Sequence, residues 1–364
     1  MPFLHITTRI TDHPYDGLLR EKGFGGFPSL AFMDAEGEVV AQPRDRNVAS
    51  FAATVEALGK LDAVQAKVDA GDEAAQVDLL LIEFELGRVA GEEFAERAAA
   101  LREVATEAQR AQLDAIAIDE ESWELIMQAF RGDRDEAMGK LLDMLNARRV
   151  PSAGSRSESY FWSLLGEHAQ AQGDTDLLRR LARALEATKP TNEDLVKLVA
   201  DLRETADSLA ERDALAERAA AGEAGLEAKI LLIELRLDAD THEAFAERLE
   251  AALAVATEDE AAELRQGGVD LEAASLVDAF WGGGDQKEIG ERAMAMLLAD
   301  GLRPSDEALG LMSTVLINWG WFELEPDDIL ARADQLAEAW GDNEAMAQTV
   351  ERLRKMAEDK RKQG

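Results

Sequence analysis

The sequence predicts a mainly α protein: a short β-α-β-β-α module over residues 1–60, followed by a duplicated α-solenoid of helical hairpins over 61–210 and 211–364. Three observations carry this expectation. The first sixty residues hold β-branched and apolar runs separated by glycine-rich turns. Beyond Lys60 apolar residues recur only at helical spacing. A long segment of the chain also returns 151 residues later, and internal repetition of this kind marks stacked supersecondary units.

The N-terminal elements follow in order. Residues 3–8, Phe-Leu-His-Ile-Thr-Thr, read as a strand. Asp12 to Lys22 places Tyr15, Leu18 and Leu19 at helical spacing. A glycine-rich approach, Gly23 to Gly26, leads through Phe27 and Pro28 to a short apolar strand at 29–33. A tight turn, Asp34 to Gly37, precedes a second strand. Residues 47–60 then form a helix whose stripe is Val48, Phe51, Val55 and Leu58.

Gly26, Phe27, Pro28 and Ser29, with Leu30, Ala31 and Phe32, resemble the Gly-x-Pro-Thr segment of the thioredoxin family, and the hairpin and closing helix match it too. The resemblance covers roughly residues 3–60. It implies a cis Phe27–Pro28 bond in a loop that recognises an extended chain, and cis X–Pro bonds are uncommon enough to be deliberate. It also implies a central strand and a Cys-x-x-Cys helix that this sequence lacks: the first strand here corresponds to the family's next one. An open or substituted sheet centre is therefore expected. The chain holds no cysteine, so thiol–disulfide exchange, zinc fingers, iron–sulfur clusters and cysteine nucleophiles are all excluded from it.

After Lys60 the turn signals are Gly71-Asp72, Gly87, Gly132-Asp133, Pro151-Ser152, Gly173-Asp174 and Lys189-Pro190-Thr191, several of them ready N-caps. Helices of roughly 12–20 residues joined by such short turns pack as antiparallel hairpins. Aligned without gaps, residues 62–107 and 213–258 are identical at 19 of 46 positions. Leu80-Leu81-Ile82-Glu83 returns as Leu231-Leu232-Ile233-Glu234, and Phe94-Ala95-Glu96-Arg97 as Phe245-Ala246-Glu247-Arg248. Pro151-Ser152 answers Pro304-Ser305, shifted by two further residues. In length and in their Gly-Asp turns the hairpins resemble tetratricopeptide-type repeats.

A net charge of −35 repels phosphate backbones and anionic lipid heads, so nucleic acid and membranes are not the expected partners, whereas a protein or peptide partner is. No basic start with an apolar stretch follows Met1, so the default location is cytoplasmic. The four histidines, at 5, 13, 168 and 242, show no metal-ligand spacing, and no cofactor is expected. Glu83 and Glu85 do not share a helix face. Trp281-Gly282-Gly283-Gly284-Asp285 reads as a loop with an N-cap. No nucleophile–base constellation stands out.

Trp319, Trp321 and Phe322 form the one conspicuous aromatic cluster, either core filler or the centre of an interface. The expected function is that of a non-catalytic binding or scaffold protein. The alternative is a thioredoxin-type oxidoreductase lacking its redox half.

Overall fold

The structure, a computed structural model, describes residues 17–26, 29–237, 242–299, 304–341 and 343–363. Among these the chain forms sixteen helices and one two-stranded sheet, so the mainly α expectation holds. The strand expected at 3–8 and the Phe27–Pro28 bond lie outside the described residues.

A short helix α1 (Leu18–Glu21) precedes an antiparallel hairpin of β1 (Phe32–Met33) and β2 (Val39–Ala41). Asp34 folds the hairpin turn: its Oδ1 accepts from the amides of Glu36 at 3.0 Å and Glu38 at 2.8 Å. Gly37 supplies the left-handed residue that the turn needs, at φ +84°.

Helix α2 (Val48–Asp69) starts at Asn47, whose side chain accepts from the Ser50 amide at 2.8 Å. It runs without a break past residue 60. The apolar stripe read from the sequence packs only in part: Phe51 lies against Phe32 and Leu58 against the core, whereas Val48 is 87% and Val55 56% exposed. Thr54 and Ala57 are buried instead, and Ala57 packs with Leu58, Leu61 and Val64 against Ala41, Ile82 and Leu86. Small side chains let α2 lie close to the next helix. Thr54 satisfies its hydroxyl on the Ser50 carbonyl at 2.8 Å, so a polar residue fits there.

The chain continues through α3 (Glu73–Glu85), α4 (Gly91–Leu101), α5 (Glu107–Phe130), α6 (Arg134–Asn146), α7 (Glu158–Ala171), α8 (Thr175–Ala187) and α9 (Glu193–Ala220). It then runs through α10 (Glu227–Arg236), α11 (His242–Leu253), α12 (Glu258–Trp281), α13 (Gln286–Leu298), α14 (Asp306–Glu323), α15 (Pro326–Trp340) and α16 (Glu344–Gln363). Two compact units result: Met1–Ala169 with Arg180–Ala200, and Gln170–Arg179 with Asp201–Gly364.

The repeated sequence adopts repeated local structure. Helices α5 and α12 begin and end at positions 151 apart, each 24 residues long and so longer than the turn spacing suggested. Both open on a capping box, Thr106 with Gln109 and Thr257 with Glu260. Arg97 pairs with Glu83, and Arg248 with Glu234 at 2.6 Å. The Ser152 amide donates to Asp119 Oδ1 at 2.7 Å, as the Ser305 amide does to Asp270 at 2.9 Å.

The C-terminal half of α9 aligns with α2, and its N-terminal half aligns with α16. Leu195, Val199, Leu202 and Ala206 are buried where Met346, Val350, Leu353 and Ala357 are. At 28 residues α9 thus serves as the last helix of one copy and the first of the next.

Candidate functional site

The first unit carries an open groove of about 440 Å³ between α2, α3 and α5. Its floor is apolar: Ala53 and Ala57 from α2, Leu81 and Ile82 from α3, Ala115 and Ile116 from α5. Its rim is polar, with Glu56 and Lys60, Glu85, Gln112, Asp119 and Ser152. Helical periodicity places Glu85 here and not Glu83, which turns to Arg97.

The two inner acids are unlike ordinary surface carboxylates. Burial pushes the Glu85 carboxyl up, and the nearby Arg44 guanidinium offsets only part of this. Burial also raises Asp119, against the pull of the Ser152 amide. At the outer rim Lys60 holds Glu56 below its usual range through a 2.5 Å ion pair.

The corresponding place in the second unit is chemically different. Glu85 corresponds to Arg236 and Gln112 to Glu263. Arg236 donates to both carboxylate oxygens of Glu263, at 3.0 and 3.1 Å. A bidentate pair therefore spans the position that stands open in the first unit. Ile116 there becomes Gly267, where a Cβ would stand 2.2 Å from Leu235 Cδ2. Leu235 occupies the space that Ile116 fills in the first unit.

Beside the groove the hairpin is fastened to the helices. The Gln42 amide donates to the Leu86 carbonyl at 2.9 Å, and Arg88 donates twice to the Val40 carbonyl, at 3.1 and 2.9 Å. Gly87 sits at φ +66°, and a Cβ on it would meet the Gln42 carbonyl oxygen at 2.9 Å. Arg44 reaches Glu120 at 2.6 Å and the Phe84 carbonyl at 3.3 Å, and its guanidinium carbon lies 3.5 Å from the centroid of the Phe84 ring. Arg156 shares Glu120 at 2.8 Å. In the second unit Glu120 is replaced by Leu271, which packs against the core. The copies thus diverge where the hairpin docks.

The residues singled out in the sequence do not converge. Of the loop candidates, Gly26 and Ser29 are described, and the Ser29 hydroxyl donates to the Gly26 carbonyl at 2.5 Å. Phe27 and Pro28 lie outside the described residues. Of the aromatic candidates, Trp319 is a core residue, 1% exposed, and not an interface residue. It packs over Gly290, where a Cβ would stand 2.1 Å from its ring. Trp321 and Phe322, 49% and 62% exposed, lie on the outer face of α14.

The glycine-rich turn at 282–284 ends in Asp285, whose carboxylate already takes the Lys287 and Glu288 amides and caps α13. Among the described residues no group of three or more His, Cys, Asp or Glu is arranged to hold a metal ion, and no helix is long and apolar enough to cross a membrane. Compared with protein-family models, with curated proteins and with solved structures, the chain finds no match.

Proposed function

We propose that this chain is a non-catalytic protein-binding or scaffold protein, a duplicated α-solenoid carrying a thioredoxin-like module, and that the groove of its first unit receives a basic, apolar-faced segment of a partner protein. The observation that carries this reading is the chemistry of the groove. An apolar floor is rimmed by two acids whose carboxyls burial holds above their usual values, and at Glu85 the nearby Arg44 offsets only part of that cost. A lysine or arginine from a partner would relieve that cost, as the Arg236–Glu263 pair does at the matching place. Apolar residues beside it would cover the floor, in the manner of a helix laid in a groove.

The thioredoxin-like part of the proposal rests on the Asp34–Gly37 hairpin and the glycine-rich residues before it. The solenoid part rests on the matching bounds of α5 and α12 and on the shared helix α9. Net charge of −35 favours a basic partner over an acidic one.

Peptide display against the full-length chain tests the proposal. Selected peptides should combine basic and apolar residues at helical spacing. Glu85→Gln should weaken their binding about tenfold, corresponding to loss of a charge pair. Ala115→Trp, which fills the groove floor, should remove it. Peptides that bind both variants like the parent chain would place the interaction elsewhere and overturn the proposal.

A further inference from the structure

One face of α5 carries more than the groove. At about 100° per residue, Gln112, Ile116, Asp119, Trp123 and Phe130 fall on one stripe of the helix. The first three line the groove. The last two belong to a row of rings that Tyr160 of α7 completes. The Tyr160 centroid lies 6.0 Å from that of Trp123 and 5.9 Å from that of Phe130, with the ring planes at 66° and 86°. Phe130 is 57% and Tyr160 48% exposed.

Groove and row are braced to each other. Arg44, the cation beside Glu85, shares Glu120 with Arg156, and the Arg156 guanidinium carbon lies 4.7 Å from the Trp123 centroid. The rings are thus held in place before anything binds, which lowers the entropy cost of binding. Aromatic residues of this kind are enriched at interface centres.

The second unit loses both features together. Glu85 and Gln112 become the Arg236–Glu263 pair, and Trp123 becomes Ala274. Matched on buried residues, Phe161 and Trp162 of α7 fall on Val315 and Leu316 of α14, so Tyr160 becomes Thr314. Only Phe130 keeps an aromatic counterpart, Trp281, and that ring meets Phe280 of its own helix at 5.4 Å. The row is present where the groove is open and absent where a salt bridge spans it.

Resting on the groove reading, we propose that the partner segment continues past the groove along α5 as one amphipathic helix of about five turns, basic over Glu85 and Asp119 and aromatic over Tyr160 and Phe130. From Gln112 to Phe130 the stripe is about 27 Å long. Charge orients the helix on it. The groove end is acidic and draws the basic residues. The row end offers no free charge, since Arg156 is paired with Glu120 and, beyond Phe130, Arg134 with Glu167 at 2.9 Å. Asp119 precedes both α5 rings, and Tyr160 lies between them. The partner's aromatic residue therefore stands about seven to eleven positions from its basic one, on the same helix face.

The probes are alanine-rich helical peptides of about twenty residues, with two arginines at one end and a single tryptophan set about three to fourteen positions away. Anisotropy of a dye on the peptide reads binding to the full chain. Affinity should peak at spacings of about seven and eleven, where the tryptophan shares the arginines' face. Tyr160→Thr, which installs the second unit's residue, combined with Phe130→Ala should weaken that binding at least about tenfold, with helical content unchanged by circular dichroism. A peptide with alanine in place of its tryptophan should bind parent and variant alike. Trp321→Ala with Phe322→Ala, a pair of exposed rings in the second unit, should bind like the parent chain. Affinity that ignores the spacing, or a row variant that binds like the parent, overturns this inference and leaves the groove reading standing. Loss at the row with none from Glu85→Gln overturns the groove reading, and the continuous track with it. A chain that sediments as a dimer, and as a monomer once the row is changed, would show a second copy covering the rings and overturn the inference as well.

Discussion

Glu85 and Lys360 show how far single side chains decide this structure. Lys360 crosses to the end of α14, where its Nζ donates to the carbonyls of Leu324 at 2.6 Å, Trp321 at 3.1 Å and Gly320 at 3.4 Å. These are carbonyls that a helix end leaves without partners. Lys360, in the basic last turn of α16, thus closes a neighbouring helix as well as offsetting the dipole of its own.

Glu85 works in the opposite sense. Burial raises its carboxyl, so the folded chain favours the uncharged form. The associated stability is fully present below the unfolded value, about 4.3, and is lost as pH rises through the higher folded value. Glu85→Gln keeps a neutral side chain throughout. Its urea midpoint should match the parent chain's near pH 4 and exceed it by a growing margin toward neutrality, with Asp119→Asn following the same trend. A margin that is constant or shrinks with rising pH would contradict the burial argument. The sequence shows both acids but not their shared groove. Glu85 and Asp119 lie on different helices, and only packing brings them to one rim. Trp319 and Trp321 are equally conspicuous in the sequence, yet one is core and the other exposed, because helical positions two apart point about 200° apart, to opposite faces.

At the scale of elements the sequence was most legible, because repeated apolar residues fix helix length and register together. Leu80 and Leu231, and Phe94 and Phe245, are buried as their common offset requires. Two features were harder to read. Of the apolar stripe of α2 only Phe51 and Leu58 pack, and the buried Thr54 and Ala57 beside them add little hydrophobicity to the pattern. The seam between copies near residue 210 carries no glycine or proline, so nothing stops α9 from running through it. The likeness of the copies makes a quantitative comparison possible. Phe94→Ala and Phe245→Ala should each cost about 3–5 kcal/mol, the usual range for a buried phenylalanine. Phe94 also packs on Phe84, with centroids 4.8 Å apart and the rings tilted by 50°, whereas Phe245 has Leu235 at the matching place. The first variant should therefore cost about 0.5–1.5 kcal/mol more. Urea denaturation of both variants checks this, and a cost near zero for either would contradict the equivalence of the copies.

For the whole molecule the dominant fact is the charge of −35, and it makes a prediction that opposes the one its ion pairs suggest. Pairs such as Arg102–Asp114 and Arg236–Glu263 are exposed, and exposed pairs contribute only about 0–1 kcal/mol each. Salt weakens them, which alone would lower stability. Salt also screens the repulsion among the many unpaired acids, and that repulsion acts over longer distances. The Debye length falls from about 10 Å at 0.1 M to about 3 Å at 1 M, so the long-range term is removed first. The part-buried Arg44–Glu120 pair, with both side chains 16% exposed, is screened less than these. The melting temperature should therefore rise with sodium chloride and level off within a few tenths molar, once the repulsion is screened. A rise that stays linear to high salt would instead indicate exclusion of the salt from the protein surface. A fall would mean that the exposed pairs outweigh the net charge. Scanning fluorimetry across a sodium chloride series separates the three outcomes.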